Sequence, residues 1–198
     1  DGWNGSNYCF WRDGKMYFGA PWDYEFSFGN QPAWFSNLKL PEGIYHAAET
    51  RWYAALYQKP EFMEEVREVY ASVFRPWLTG FAREGIAEQA ERIGASMRMD
   101  AARWGQQEEN FSRKIGELRE YIEDRLQWLD REWLGIEGGG EDPVYYALRL
   151  MDGDSETAVY YIREGEYVDP DMLIMDDRHF TGWYEDEACT AKADVLDE

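Results

Sequence analysis

Apolar residues recur every three or four positions along the stretch 111–133. The members of this stripe are Phe111, Ile115, Leu118, Ile122, Leu126, Leu129 and Trp133. Such spacing places them on one side of a helix and predicts a one-sided stripe facing a core. Gly135 follows directly and is predicted to end this helix.

Three further helices are predicted before it. The first spans residues 44–57, and Lys59-Pro60 separates it from the second, because proline suits the first turn of a helix. The second has an apolar stripe, made of Phe62, Val66, Val69 and Val73. Arg75-Pro76 is predicted to end it, and a third helical stretch runs on towards Met97.

Both ends of the chain have the pattern of β-hairpins. Near the N-terminus, strands over residues 7–12 and 15–19 flank Asp13-Gly14, a strong hairpin-turn pair. Towards the C-terminus, residues 144–150 and 158–162 are predicted strands, with a turn at Asp152-Gly153-Asp154. The fold class predicted is therefore α+β, with a short hairpin before the helices and a β-rich part after them.

Composition supports a division into two units. From Glu137 onward there are 18 acidic and 4 basic residues, whereas the first 136 residues have 22 acidic and 16 basic ones. We therefore predict one domain over residues 1–136, a glycine-rich linker over 137–143 and a small module over 144–198. The net charge of −20 argues against nucleic-acid and anionic-membrane partners. No apolar run approaches the roughly 20 residues that span a bilayer.

The two cysteines, Cys9 and Cys189, fall in different predicted units. A mutual disulfide is not expected. We expect two free thiols that are buried or half-buried, as free cysteines usually are.

Three polar residues near the N-terminus have the layout of a phosphotransfer centre. Asp1 precedes the hairpin, Asn7 opens its first strand, and Asp23 follows its second strand. In protein kinases an aspartate lies near the acceptor hydroxyl, while an asparagine and a second aspartate hold Mg²⁺ against the phosphates. The hairpin would bring Asn7 and Asp23 onto neighbouring strands. On spacing alone, a purely structural interpretation is equally open: Asp1 as a terminus, Asn7 opening a strand, Asp23 capping a turn.

The residues around Asp23 resemble the CotH family, the spore-coat-protein-H kinases. The resemblance rests on Ser6-Asn7-Tyr8, the segment from Gly19-Ala20-Pro21-Trp22-Asp23 to Phe28-Gly29-Asn30, and helical segments up to about residue 135. It implies an atypical, kinase-like fold, here the mostly helical C-lobe, that uses ATP and Mg²⁺ to phosphorylate serine in protein substrates.

Residue roles follow from the resemblance. Asp23 is the implied Mg²⁺ ligand and Asn7 a second one, while Asp1 is the implied catalytic aspartate. Trp22 would flank the nucleotide. Glu25 stands where the family often has aspartate, and its longer side chain could still reach the metal or a bridging water.

The nucleotide-binding lobe is not recognisable in this chain, so the chain is expected to be the C-terminal part of the kinase domain and to be inactive alone. The alternative hypothesis is a non-enzymatic surface protein, in which a degenerate kinase-like scaffold serves binding or anchoring.

Residues 165–190 resemble a second family, the Listeria–Bacteroides repeat, also called the InlB B-repeat. The matching segments are Gly165-Glu166-Tyr167-Val168-Asp169-Pro170 and Phe180-Thr181-Gly182-Trp183-Tyr184-Glu185-Asp186. The resemblance implies a β-grasp-like spacer or adhesion module, a partner on the cell surface or cell wall, and an extracellular or bacterial cell-surface location.

Overall fold

The protein is an α+β structure of two small antiparallel sheets and long helices, which confirms the predicted fold class. The structure, a computed structural model, describes residues 6, 8–19, 22–30, 39–44, 51–105, 108–138, 143–166 and 168, together with 182, 184, 186, 188 and 190–192. No helix within these ranges is long and apolar enough to cross a membrane.

The N-terminal hairpin pairs β1 (Cys9–Arg12) with β2 (Lys15–Phe18) around Asp13-Gly14. Both turn residues have positive φ, 51° and 75°, as a two-residue hairpin turn of type I′ requires. The four residues of β1 are all exposed. The thiol of Cys9 is accordingly free and exposed, so the expectation of a buried thiol is wrong there. Cys189 lies outside the described residues.

The chain is helical without interruption from Pro60 to Trp104. After α1 (Arg51–Tyr57), this path consists of α2 (Pro60–Val69), a π-helical segment (Tyr70–Phe74), α3 (Arg75–Gly80), a second π-helical segment (Phe81–Gly85) and α4 (Ile86–Trp104).

The predicted helix end at Arg75-Pro76 is therefore wrong. The N–H of Arg75 bonds to the carbonyl of Tyr70, five residues back, so a widened π turn lies directly before the proline. A wider turn relieves the clash between a proline ring and the preceding carbonyl, and the helix continues through Pro76.

Helix α5 (Glu108–Leu129) continues as a π-helical segment (Asp130–Leu134), and Gly135 ends it with φ 64°, as the sequence predicts. Its apolar stripe lies in the core, which comprises Tyr70, Ala82, Ile86, Ile122, Leu126 and Leu129. The predicted one-sided stripe is incomplete, however. Tyr121 and Asp124 are also buried, because other segments pack on further sides of α5.

The C-terminal hairpin pairs β3 (Tyr145–Asp152) with β4 (Ser155–Arg163), with an irregular register at Leu150/Met151. It contacts α5 through Asp124, whose carboxylate accepts hydrogen bonds from the Tyr145 hydroxyl at 3.0 Å and from Arg163 Nε at 2.8 Å. Burial, followed by the Asp124 charge, raises the pKa of Tyr145 and keeps it a donor. The hairpin is thus in polar contact with the helical part, whereas the domain boundaries stay a prediction.

Part of the second motif is also visible. The carboxylate of Asp186 accepts from the backbone N–H of Thr190 and of Ala191, and Tyr184 forms a β-bridge with Lys192. These backbone bonds lower the pKa of Asp186. The β-grasp arrangement stays a prediction, because residues 169–181 lie outside the described ranges.

Candidate functional site

The best-defined candidate site lies where the chain leaves the N-terminal hairpin. Trp22 and Asp23 precede a 3₁₀-helix, Glu25–Phe28, which Gly29 ends. The indole of Trp22 is 63% exposed, and the carboxylate of Asp23 is also exposed. An aromatic face and a carboxylate are therefore both accessible to a ligand at adjacent positions.

Asp23 has an unusual backbone conformation. Among the described residues other than glycine, only Asp13 and Asp23 have positive φ. The value for Asp13 is explained by the hairpin turn, but Asp23, with φ 60°, lies outside any hairpin turn. Aspartate tolerates this region better than most residues, and such strain concentrates at ligand-binding and catalytic positions. The backbone of Asp23 therefore marks it as a functional candidate independently of its charge.

The Phe28-Gly29-Asn30 turn packs against helix α5. Gly29 has φ 75°, and its N–H bonds to the carbonyl of Phe26 at 3.2 Å. A Cβ atom on Gly29 would lie 2.5 Å from Cδ2 of Tyr121. Only glycine combines this conformation with so close an approach. The contact anchors the segment that follows Asp23 to helix α5, which contributes Ile122, Leu126 and Leu129 to the core.

Aromatic contacts support the same segment from the side of α1. The rings of Phe18, at the end of β2, and Tyr53 have centroids 6.5 Å apart. Partial burial, followed by the proximity of Tyr53, raises the pKa of Tyr24. Asp23 is thus exposed itself, while Phe18 before it contacts α1 and Gly29 after it contacts α5.

The predicted site residues are described to different extents. Asp1 and Asn7 lie outside the described residues, as does the side chain of Glu25, whose backbone opens the 3₁₀-helix. Next to Asn7, the carbonyl of Tyr8 accepts from the N–H of Gly19 at 2.5 Å, which extends the pairing of the hairpin strands. The shared ion of Asn7 and Asp23 stays a prediction.

The donor chemistry of Asp23 suits Mg²⁺. Within the part of the chain that the structure describes, no three His, Cys, Asp or Glu residues form a group that could hold a metal ion. Mg²⁺ does not need such a group, because it keeps several waters and binds through one or two carboxylates together with substrate phosphates. The exposed carboxylate of Asp23 fits that mode of binding.

Comparison with known proteins decides the family. A family model described as CotH kinase protein matches residues 1–129, about two thirds of the chain. The chain belongs to this family. The match covers all five predicted site residues, so the CotH assignment and the local geometry concern the same segment. No curated protein and no solved structure matches the chain.

The contacts that support this CotH segment have little signature in the sequence. Tyr121 directly precedes Ile122 of the apolar stripe, so the apolar periodicity of α5 does not predict that Tyr121 is buried. Asp124, a charged residue between Ile122 and Leu126, was the one available signal that a second side of α5 is covered. Its partners Tyr145 and Arg163 come from a segment beyond the family match.

Proposed function

We propose that this CotH protein is the part of a protein kinase that carries the metal-binding carboxylate, and that the kinase transfers a phosphoryl group from ATP to serine in a protein substrate. The observation that supports this most is Asp23: an exposed carboxylate in a strained backbone conformation, anchored by the Gly29–Tyr121 contact within the family match.

Each residue has one role in this proposal. Asp23 supplies an oxygen ligand to Mg²⁺, together with Asn7 and, directly or through water, Glu25. When bound, Mg²⁺ neutralises charge on the phosphates. Trp22 offers its exposed ring as a stacking surface for the adenine. Asp1 accepts the proton of the serine hydroxyl as the phosphoryl group passes to the serine oxygen and ADP leaves.

The C-terminal part would place the kinase outside the cell. We propose that residues 144–198 form a repeat of the Listeria–Bacteroides type, which serves as a spacer and contacts a partner on the cell surface or cell wall. The motif residues Gly182 and Asp186 support this: a Cβ on Gly182 would lie 2.6 Å from Cε of Lys192, and Asp186 accepts a backbone hydrogen bond between the bridge partners Tyr184 and Lys192.

The phosphotransfer proposal is tested with a matched pair of variants. Asp23→Asn removes the charge but keeps a residue that tolerates positive φ. Asp13→Asn is the control, because Asp13 is an exposed aspartate with similar φ in the hairpin turn. Phosphate transfer from radiolabelled ATP to a serine-containing protein should fall on the order of 100-fold in the intact protein with Asp23→Asn, and be unchanged with Asp13→Asn.

Equal activity of both variants would show that Asp23 is not a metal ligand. A protein that binds no Mg²⁺-ATP at all would instead support the alternative of a non-enzymatic scaffold.

A further inference from the structure

A second surface feature lies away from the candidate kinase site, along helix α2. It is an open cavity of about 410 Å³ between α2, the segment Tyr70–Phe74 and the end of α5. Its lining is almost wholly apolar and includes Phe62, Val66, Val69, Phe74, Leu129 and Trp133. We refer to it as the α2 groove. Its volume falls in the range of specific binding sites.

The floor of the α2 groove is closely packed. Tyr70 and Leu129 are buried, and the ring of Tyr70 meets the ring of Trp133 edge-on at 5.2 Å. The Tyr70 hydroxyl donates to Asp130 at 2.7 Å, and burial followed by this bond raises its pKa. The groove is therefore preformed rather than a gap between loosely packed side chains.

Two of the walls are π-helical. Tyr70 and Phe74 belong to one π segment, and Trp133 belongs to the segment Asp130–Leu134. Single π turns are costly and occur frequently at functional sites. Pro76 accounts for the first of them, but no proline lies near the second.

Apolar surface continues beyond the α2 groove. Val73 and Trp77, outside the lining, are each more than half exposed, as is Phe74 within it. Together with Val69 they extend the lining along the outer face of the continuous helix, where a single groove-sized ligand would leave them in water. A contiguous exposed apolar surface of this kind marks an interaction site.

One edge of the α2 groove is acidic. Each apolar residue of the α2 stripe follows directly after a glutamate. The pairs are Glu61-Phe62, Glu65-Val66 and Glu68-Val69, so an acidic and an apolar stripe run side by side along α2. Glu65 lines the groove directly. No described residue forms an ion pair with Glu61, Glu65 or Glu68, so these carboxylates are available to a cationic partner.

We propose that the α2 groove binds an amphipathic helix of a partner protein with Lys or Arg along one edge. The stripe from Phe62 to Val69 is about 10 Å long. That length matches the i, i+3/i+4, i+7 anchors of a helix lying in a hydrophobic groove. Walls made of helices favour a helical occupant, since ridges of one helix pack into grooves of others. The acidic stripe favours basic flanks and repels an anionic membrane.

Binding is tested with two labelled 18-residue peptides that have leucine at the anchor positions. One peptide carries lysine elsewhere and the other glutamate. Fluorescence polarisation should show binding of the Leu–Lys peptide, weakened by salt, and at least about tenfold weaker binding of the Leu–Glu peptide. Equal binding of both peptides would overturn the proposal, because the acidic stripe would then have no role.

Matched variants localise the binding. Val69→Lys places a charge in the α2 groove, and Ile93→Lys places the same charge on α4; the two side chains are 38% and 43% exposed. We expect Val69→Lys to weaken binding of the Leu–Lys peptide about tenfold, the effect of losing one central apolar anchor. Ile93→Lys should change the affinity for the same peptide less than twofold.

Two results count against the proposal whatever the kinase activity is. One is an equal effect of both lysine variants on peptide binding, with circular dichroism showing intact helices. The other is a concentration-dependent dimer, seen by light scattering, that Val69→Lys dissociates; the occupant would then be a second copy of the chain.

Discussion

Gly14 and Gly29 share a φ of 75° but differ in surroundings. A Cβ on Gly14 would meet no atom within 4 Å, whereas a Cβ on Gly29 would overlap the ring of Tyr121. The two positions therefore separate the cost of the backbone conformation from the cost of the contact that supports the Asp23 segment.

We expect Gly14→Ala to cost at most about 1–2 kcal/mol of unfolding free energy, the penalty of a left-handed non-glycine residue. Gly29→Ala should cost a further ~1–3 kcal/mol, because the added methyl forces Tyr121 or the turn to move. Urea denaturation of the two variants measures the difference. Equal losses would show that the Gly29–Tyr121 contact does not constrain the turn.

At the scale of elements, helix α5 supports several segments at once. Tyr121 contacts the Gly29 turn and Asp124 the C-terminal hairpin, while Arg125 donates to the carbonyls of Pro41 and Gly43. Ile122 and Leu126 pack in the core. Neighbouring positions on one helix thus connect four parts of the chain, which explains why α5 is buried on more than one side.

The contact with the C-terminal hairpin is tested by Arg163→Ala. Among the described residues, this change leaves the buried Asp124 with the Tyr145 hydroxyl as its hydrogen-bond donor, and we expect a loss of about 1–3 kcal/mol in unfolding free energy. The control, Arg149→Ala, removes the exposed Arg149–Glu156 pair of the same hairpin and should cost less than about 1 kcal/mol. Losses of equal size in thermal melts would argue that the hairpin is not held to α5.

The elements with strong local signals were predicted well. The Asp13-Gly14 turn, the apolar stripe of α5 and its end at Gly135 depend on backbone chemistry and periodicity within a few residues, which a sequence displays directly. The passage through Pro76 was not predicted, because local rules treat proline as a helix end and a compensating π turn has no known sequence signature.

For the candidate site, the sequence identified Asp23 but not what supports it. The tight fit of Gly29 on Tyr121 joins residues 92 positions apart, and Asp124 meets Arg163 across 39 positions. Contacts of that kind arise from tertiary packing. The strained φ of Asp23 is likewise a property of the folded backbone rather than of any motif.

At the scale of the whole molecule, the strained, exposed aspartate and the α2 groove are separate features. Asp23 follows the N-terminal hairpin, while the groove lies on α2 and the π-helical segments. Apart from Trp133, both fall within the CotH match over residues 1–129. A kinase that reaches its substrate through a basic helix would use both, with recognition at the groove and phosphotransfer at Asp23. The strongly acidic composition agrees with binding of a cationic partner and of a metal ion.

The central claim, that Asp23 is a metal-binding carboxylate, is tested most directly by paramagnetic broadening with Mn²⁺, which accepts the same oxygen ligands as Mg²⁺. In the unmodified chain and in Asp13→Asn, substoichiometric Mn²⁺ should broaden the NMR signals of the Trp22 indole and the Gly29 amide. In Asp23→Asn that broadening should be lost. Unchanged broadening in Asp23→Asn, or broadening centred on Asp13, would contradict the account.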